Sequence, residues 1–167
     1  MKDGKADPSP PIAALAGFEN SADVLARAVR LARALFAPDL AGVTLVGENG
    51  LWRSFDPDGR MSRHAPLVEE VVRAGGAYWV EDARRHPRLK TSRSVAPPGN
   101  LRFAAAAPIR LETGEMKGIL AVASQAPRRR DPELLARLQD VADFIADEWS
   151  RSEAKRAREA SDSETAN

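Results

Sequence analysis

The residues best suited to chemistry lie in one polar stretch, "EDARRHPRLKTSRSVAPPGNLR", at residues 81–102. From Arg84 to Arg102 the chain has no acid and six cations, namely Arg84, Arg85, Arg88, Lys90, Arg93 and Arg102. A guanidinium group offers a planar fork of donors that suits phosphate or carboxylate. The stretch therefore predicts either an anion site or a solvated, mobile basic loop.

Two side chains at the start of this stretch would complement an anion site. Asp82 would orient one of the arginines through a carboxylate–guanidinium pair, and Trp79 would stack on a planar ligand. The alternative is structural, with Asp82 capping the following turn and Trp79 buried in the core. The sequence leaves both interpretations open.

Histidine and cysteine usage restricts the chemistry further. His64 and His86 are the only histidines, neither has a second ligand at metal spacing, and the chain contains no cysteine. We therefore predict no metal site, disulfide, thiolate nucleophile or thioether-linked chromophore. Both histidines are interpreted as surface residues, with a haem or tetrapyrrole contact as the alternative for His86. No nucleophile elbow or glycine-rich phosphate loop occurs, so no catalytic residue is predicted.

Composition predicts one domain and gives no sign of a nucleic-acid or membrane partner. The chain has 167 residues, of which 43% are hydrophobic and 29% charged, and its formal net charge is +1. No apolar run approaches the roughly 18 residues of a membrane span, and the start "MKDGKADPSPP" lacks a signal-peptide core, so a cytoplasmic location is expected. We predict a flexible leader at 1–19, a folded domain at 20–150 and a polar helical extension or disordered tail at 151–167.

The elements that must position these residues begin with an amphipathic helix. It is predicted to start at Asn20 or Ser21 and to end before Pro38, with an apolar stripe that contains Leu25, Val29, Ala32 and Phe36.

A hairpin, a short helix and a third strand are predicted next. Two β-rich runs flank Asn49-Gly50, a pair typical of a type I′ turn, and a second turn is predicted at 57–59. The run "APLVEEVVRAGG", residues 65–76, predicts a short helix, and "AYWVED", residues 77–82, predicts the third strand.

Alanines fill the predicted fourth strand, "RFAAAAPIR", at residues 102–110, which the turn "ETGE" joins to a fifth strand, "MKGILAVAS". If this four-residue loop sets an antiparallel register, one face carries Phe103, Ala105, Ala107 and Ile109 together with Gly118, Leu120 and Val122. The opposite face carries Ala104, Ala106, Ala121 and Ala123. Such small residues favour close packing of helices, the floor of a ligand pocket, or one of these on each face.

The last helix has two adjacent apolar stripes. It is predicted to be capped by Asp131, with one stripe of Leu134, Leu138, Val141 and Ile145 and a second of Leu135, Ala142 and Trp149. One stripe would cover the sheet and the other would pair with a second copy, so we predict a homodimer interface at Leu134, Leu138, Val141, Ile145 and Trp149. The alternative is a wide stripe buried within one monomer. Beyond Trp149 the helix is expected to fray in solvent.

The order of these elements and two sequence stretches resemble a GAF domain, a small-molecule sensory module related in shape to the PAS fold. The stretches are "VEDARRHPRL", residues 80–89, and "RFAAAAPIRLETGEMKGILAVASQAPR", residues 102–128. The resemblance implies an α+β fold with a central antiparallel sheet of five to six strands. The N- and C-terminal helices would pack on one face, and the short helix and long loop would cover a pocket on the other.

The function implied by the resemblance is non-catalytic ligand sensing in bacterial signal transduction, with the C-terminal helix passing the ligand state to an output partner. A ligand-free dimerisation or docking module is the alternative. The predicted ligand contacts are Trp79, Asp82, Arg84, His86, Arg88, Arg102, Phe103 and Ala105.

The cofactor stays unassigned, with a nucleotide, a small anion or no ligand as the candidates. Where many relatives have a cysteine this chain has Ala121, and Ser124-Gln125 replaces a common aspartate. A GAF-like reductase of free methionine sulfoxide exists, but its chemistry needs cysteine thiolates, which this chain lacks.

Overall fold

The structure, a computed structural model, describes residues 21–46, 52–55 and 66–166. The predicted leader at 1–19, the Asn49-Gly50 turn, the turn at 57–59 and His64 lie outside the described residues.

The described residues form three helices and five strands. In chain order they are α1 (Ser21–Phe36), β1 (Leu40–Val46), β2 (Trp52–Phe55), α2 (Pro66–Ala74), β3 (Tyr78–Val80), β4 (Phe103–Arg110), β5 (Met116–Ser124) and α3 (Pro132–Thr165). The ends of two helices lie close to the positions predicted from the sequence. Asp131 accepts hydrogen bonds from the Glu133 and Leu134 N–H groups at the start of α3, as predicted, and Ala37 adopts a φ of 44° where α1 ends.

The strands form one antiparallel sheet in the order β2-β1-β5-β4-β3. Within the β4–β5 pair, Ala105 is opposite Val122, Ala107 is opposite Leu120 and Ile109 is opposite Gly118. This is the register predicted from the "ETGE" loop. The α+β fold with a central antiparallel sheet is therefore confirmed.

One face of the sheet packs against α1 and α3. Phe103, Ala105, Ala107 and Ile109 of β4 are fully buried there in a single apolar cluster with side chains from both helices. Methyl side chains at the middle of β4 allow the helices to approach the sheet closely, and burying this cluster is the main apolar contribution to stability. The predicted pairing of the two terminal helices on one face is confirmed.

The opposite face is covered by α2 and by the long connection between β3 and β4. Val68 and Val71 of α2 pack on Ala106, Ile119 and Ala121. Leu89 and Val95 of the connection pack beside Val80 and Ala83, with Ala104 at the margin of that group. A short 3₁₀ turn at Ala83–Arg85 and a series of tight turns give this connection an ordered path.

The predicted dimer-interface residues of α3 are instead part of the core of one chain. Leu138 and Ile145 are 0% exposed, and Val141 and Trp149 are nearly so. Leu134 is half-buried against the same cluster. The prediction is corrected at these positions because α1 lies beside α3 and covers the second stripe, so the wide stripe is buried within the monomer.

The segment after Trp149 also differs from expectation, because α3 continues as a regular helix to Thr165 instead of fraying. Its residues are almost all exposed. Ion pairs at helical spacing link Arg151 to Glu148 and Lys155 to Glu159, at 2.5 and 3.8 Å, and the segment is rich in good helix formers. The helix thus extends about four turns beyond the core.

Candidate functional site

A cavity of about 500 Å³ opens on the face of the sheet opposite α1 and α3. Its floor is formed by Ala104 of β4 and by Ile119, Ala121 and Ala123 of β5. The volume lies within the usual range of small-molecule sites. Strand alternation explains the floor, because every second residue of β4 and β5 faces this side and most of those at the cavity are alanines.

The walls of the cavity are apolar and its rim is polar. Leu67 from α2 and Leu89, Val95 and Leu101 from the β3–β4 connection line the sides. Polar side chains occur at the rim, and they are Asp39, Ser92, Arg93, Ser94 and Gln125. The site can therefore accept an apolar body and contact polar groups at its entrance.

Asp82 and Arg102 form a two-point ion pair that joins the two ends of the connection. The Arg102 Nη2 and Nε atoms donate to Asp82 Oδ2 and Oδ1 at 2.6 and 3.2 Å. Asp82 Oδ1 also accepts the Arg84 N–H and so caps the 3₁₀ turn. The hydrogen bonds from Arg102 hold the pKa of Asp82 below its ordinary value. Asp82 thus caps the turn and orients an arginine, and the pair leaves neither charge free for a ligand.

Glu70 and Arg88 form a second pair that ties α2 to the connection. Glu70 is 2% exposed, and its two carboxylate oxygens accept hydrogen bonds from Arg88 Nε and Nη2 at 2.5 and 2.8 Å. Arg73, one turn along α2, adds a bond of 3.1 Å to Glu70 Oε1. The Arg88 hydrogen bonds keep the pKa of Glu70 below its ordinary value against the opposing effect of burial. Glu70 is a buried acid that no sequence motif indicated.

His86 belongs to the same network and is part-buried. Its Nδ1 atom accepts the Arg88 and Leu89 N–H groups at 3.2 and 3.3 Å. Its Nε2 atom lies 3.0 Å from the Tyr78 hydroxyl and 3.7 Å from Glu70 Oε2. In the neutral ring the proton therefore lies on Nε2, and both nitrogens are occupied by the protein. The interpretation of His86 as a surface residue is corrected, because it anchors the connection.

The predicted contacts Trp79, Phe103 and Ala105 have their side chains on the helix side of the sheet. The Trp79 and Phe103 rings pack 4.8 Å apart, and the Trp79 indole N–H donates to the Arg128 carbonyl at 3.1 Å. Ala105 is 0% exposed in the same cluster, and Phe103 borders the cavity while its ring lies in that core. The prediction that Trp79 and Ala105 contact a ligand is corrected, and the core interpretation of Trp79 is the one observed. The predicted contact at Phe103 stays a prediction.

The remaining predicted cations do not line the cavity either. Arg84 is exposed and donates to the Asn100 side-chain oxygen at 3.3 Å. Arg93, one of the six loop cations but not one of the predicted ligand contacts, lies on the rim. Alternation in β4 and β5 was the available signal for the floor, whereas no sequence signal separated Arg93 from its neighbours.

Among residues 21–46, 52–55 and 66–166, no three His, Asp or Glu side chains cluster as metal ligands would. In the same part of the chain, none of the helices combines the length and the apolar character that a membrane crossing needs.

An antiparallel sheet with two helices on one face and a covered cavity on the other defines a class of small α+β modules built around a pocket. The model of the GAF domain family matches residues 18–149, which is more than half of the chain. The chain therefore belongs to the GAF domain family. Among curated proteins, no significant sequence relative was found.

Solved structures with the same fold include domains of signalling proteins and an enzyme. The blue-light absorbing form of the Thermosynechococcus elongatus PixJ GAF domain has a TM-score of 0.69 at 15% identity, over 86% of this chain and 92% of that one. A domain described as part of a two-component sensor histidine kinase protein from Sinorhizobium meliloti 1021 gives 0.65 at 17%, over 82% and 96%. The free methionine-R-sulfoxide reductase from Neisseria meningitidis gives 0.59 at 18%, over 83% and 86%. At these identities the likeness shows the fold alone.

Proposed function

We propose that this GAF domain is a non-catalytic sensor whose cavity binds a small molecule and whose α3 helix passes the bound state to an output partner. The observation that carries the proposal is the position of the cavity and α3 on opposite faces of the same two strands. Domains with this fold in a sensor kinase protein and a photoreceptor support a signalling role. A bacterial, cytoplasmic setting is part of the proposal.

The shared strands give a short physical route from the cavity to α3. Ala104 and Ala121 face the cavity, whereas their neighbours Ala105 and Val122 pack in the cluster that holds α3. A ligand that bends or shifts β4 or β5 must therefore change the packing under α3. It can do so only to the extent that it binds one arrangement more tightly than the other.

The extension of α3 is suited to contact an output partner. It runs beyond the core to Thr165 with exposed side chains, and a rigid helix transmits a tilt or rotation along its length. A homodimer, and an output domain or protein contacted through this helix, are the partners that we propose.

The absence of thiols supports a non-catalytic role for this chain. The chain has no cysteine, so a thiolate mechanism has no nucleophile. The cavity floor presents apolar side chains, and the carboxylates of Glu70 on α2 and Asp82 on the connection are both paired with arginines. These groups hold the loop in place.

Leucine substitutions at two adjacent alanines test the proposal. Ala104→Leu places its side chain in the cavity, so small molecules that raise the melting temperature of the wild type should no longer do so. Ala105→Leu is the matched control on the other face. It should lower the free energy of unfolding by about 1–3 kcal/mol through overpacking but leave the cavity open. Binding is screened by thermal shift, and by native mass spectrometry at a temperature at which each variant is folded.

Hydrogen exchange provides the signalling readout. A small molecule that binds the wild type should change amide exchange in residues 132–165, and that change should vanish in Ala104→Leu. A cavity that binds no member of a broad metabolite library would contradict the sensor and favour the ligand-free docking module. Equal binding to Ala104→Leu and the wild type would place the ligand elsewhere.

A further inference from the structure

We propose that the cavity takes a ligand with an apolar body and a single carboxylate, and that Arg93 binds the carboxylate at the rim. This inference rests on the proposed sensor function and names the chemical class of its ligand. The cavity walls, the charges of the connection and the serines beside Arg93 support it.

The interior of the cavity selects an apolar body. Its floor presents the side chains of Ala104, Ile119, Ala121 and Ala123, and leucines and a valine form the walls. A polar group buried against such surfaces without a hydrogen-bond partner is strongly disfavoured. A purine or a sugar would lose hydrogen bonds to water there, whereas an alkyl chain or a plain aromatic ring would gain from desolvation.

Among the described residues that line the cavity, Arg93 is the cation available to an anionic group. Arg88 and Arg102 are each held in a two-point pair, with Glu70 and Asp82. The side chain of Arg93 is exposed, lines the rim and has no ion-pair partner among the residues that the structure describes. One free guanidinium suits one carboxylate, which it binds with two parallel hydrogen bonds.

The neighbours of Arg93 are compatible with a carboxylate. Ser92 and Ser94 flank it and also line the cavity. Asp39, the acid of the rim, already accepts the Gln125 N–H at 2.8 Å through one carboxylate oxygen. Gly99 fixes the backbone of this segment, because a Cβ there would collide with the backbone of Arg93 and Ser94. Arg93 is therefore presented from an ordered turn.

The experiment compares octanoate with its neutral analogue octanamide on the full chain by isothermal titration calorimetry. The wild type should bind octanoate at least tenfold more tightly than octanamide. Arg93→Gln should remove that preference by weakening octanoate about tenfold, with octanamide unchanged. Arg129→Gln, an exposed arginine outside the cavity, carries the same charge change and should behave as the wild type. Racemic 2-aminooctanoate, which adds an ammonium group, should bind less tightly than octanoate.

The outcomes separate the ligand class from the sensor function. Equal affinity for octanoate and octanamide, or an Arg93→Gln protein that keeps the preference, would overturn the role of Arg93. Tighter binding of 2-aminooctanoate than of octanoate would overturn the class in favour of an amino acid. A wild type that binds other library molecules in the cavity but neither C8 compound would overturn the class while the sensor proposal stands. Failure to bind any small molecule would overturn both.

Discussion

At the scale of single residues, Glu70 decides how the β3–β4 connection is held. It is a carboxylate with 2% exposure on a short helix, and its bonds to Arg88 cross from α2 to the middle of the connection. Arg73 on the same helix and His86 on the connection also face it, and the Tyr78 hydroxyl on β3 contacts the same nitrogen of His86. Removing this charge would leave several donors without an acceptor.

Glu70→Gln should therefore lower the free energy of unfolding by about 1–3 kcal/mol at pH 7, since it weakens hydrogen bonds to a charged group. The Arg88 bonds hold the pKa of Glu70 below its ordinary 4.5 in the folded state. Its stabilising contribution is then complete above pH 4.5 and lost as the pH falls through the lower, folded value. Denaturant unfolding from pH 7 down to pH 3 should show the difference between wild type and variant shrinking below pH 4.5.

Glu69→Gln is the matched control, because Glu69 is the exposed neighbour on the same helix. It should change stability by less than about 0.5 kcal/mol at every pH. A constant difference between wild type and Glu70→Gln over this pH range would show that the buried carboxylate is not what stabilises the connection.

The ion pairs mark the limit of what sequence reasoning could predict at this scale. The six loop cations share one composition and flank one another, so nothing local indicates which are neutralised. Arg88 finds its acid 18 residues earlier on α2, and Arg102 finds Asp82 across the whole connection. Only the fold brings these groups together, so the arginine left at the rim, Arg93, could not be identified beforehand.

At the scale of elements, the alternation of side chains along β4 and β5 lets the two faces of this strand pair serve different purposes. One face packs under the helices, and the other faces the cavity side. Odd-numbered residues of β4 pack under the helices, and Ala104 and Ala106 face the cavity side. Gly118 of β5 is another small residue at a crowded position. It lies between two strands, opposite Ile109 of β4 and Leu45 of β1. A Cβ at this position would collide with the Thr44 carbonyl oxygen of β1.

Gly118→Ala should be strongly destabilising, because β1 would have to move away from β5 at the centre of the sheet. We expect a loss of at least about 1–3 kcal/mol, measured by denaturant unfolding. Gly76→Ala is the control, since a Cβ there has no atom within 4 Å. A Gly118→Ala protein as stable as the control would mean that β1 and β5 are less closely paired than the structure shows.

Elements were predictable where local chemistry defines them. A four-residue loop and strict alternation were enough to predict the register of β4 and β5, and Asp131-Pro132 marked the start of α3. Which surface each of the two α3 stripes packs against was not predictable. A stripe that contacts α1 and a stripe that contacts a second copy have the same composition, and only the position of α1 distinguishes them.

At the scale of the whole molecule, both apolar stripes of α3 are buried within one chain, so a dimer would need another apolar surface. The outer surface of α1 is a candidate. Leu31 is 43% exposed there, and the half-buried Val24 and Leu35 lie on the same side of the helix at spacings of seven and four residues. An apolar strip of this kind beside α3 is suited to pair with its own copy in a symmetric dimer.

Leu31→Glu should therefore weaken the homodimer at least tenfold, because it would bury a charge at the centre of the interface. Multi-angle light scattering coupled to size exclusion, over a range of concentrations, measures the effect. Val72→Glu is the control, since Val72 is an equally apolar residue, 55% exposed on α2, at the opposite face of the sheet. Each single change should leave the monomer folded, as circular dichroism would show. A wild type that stays monomeric at high concentration, or a control that dissociates equally, would rule out α1 as the pairing surface.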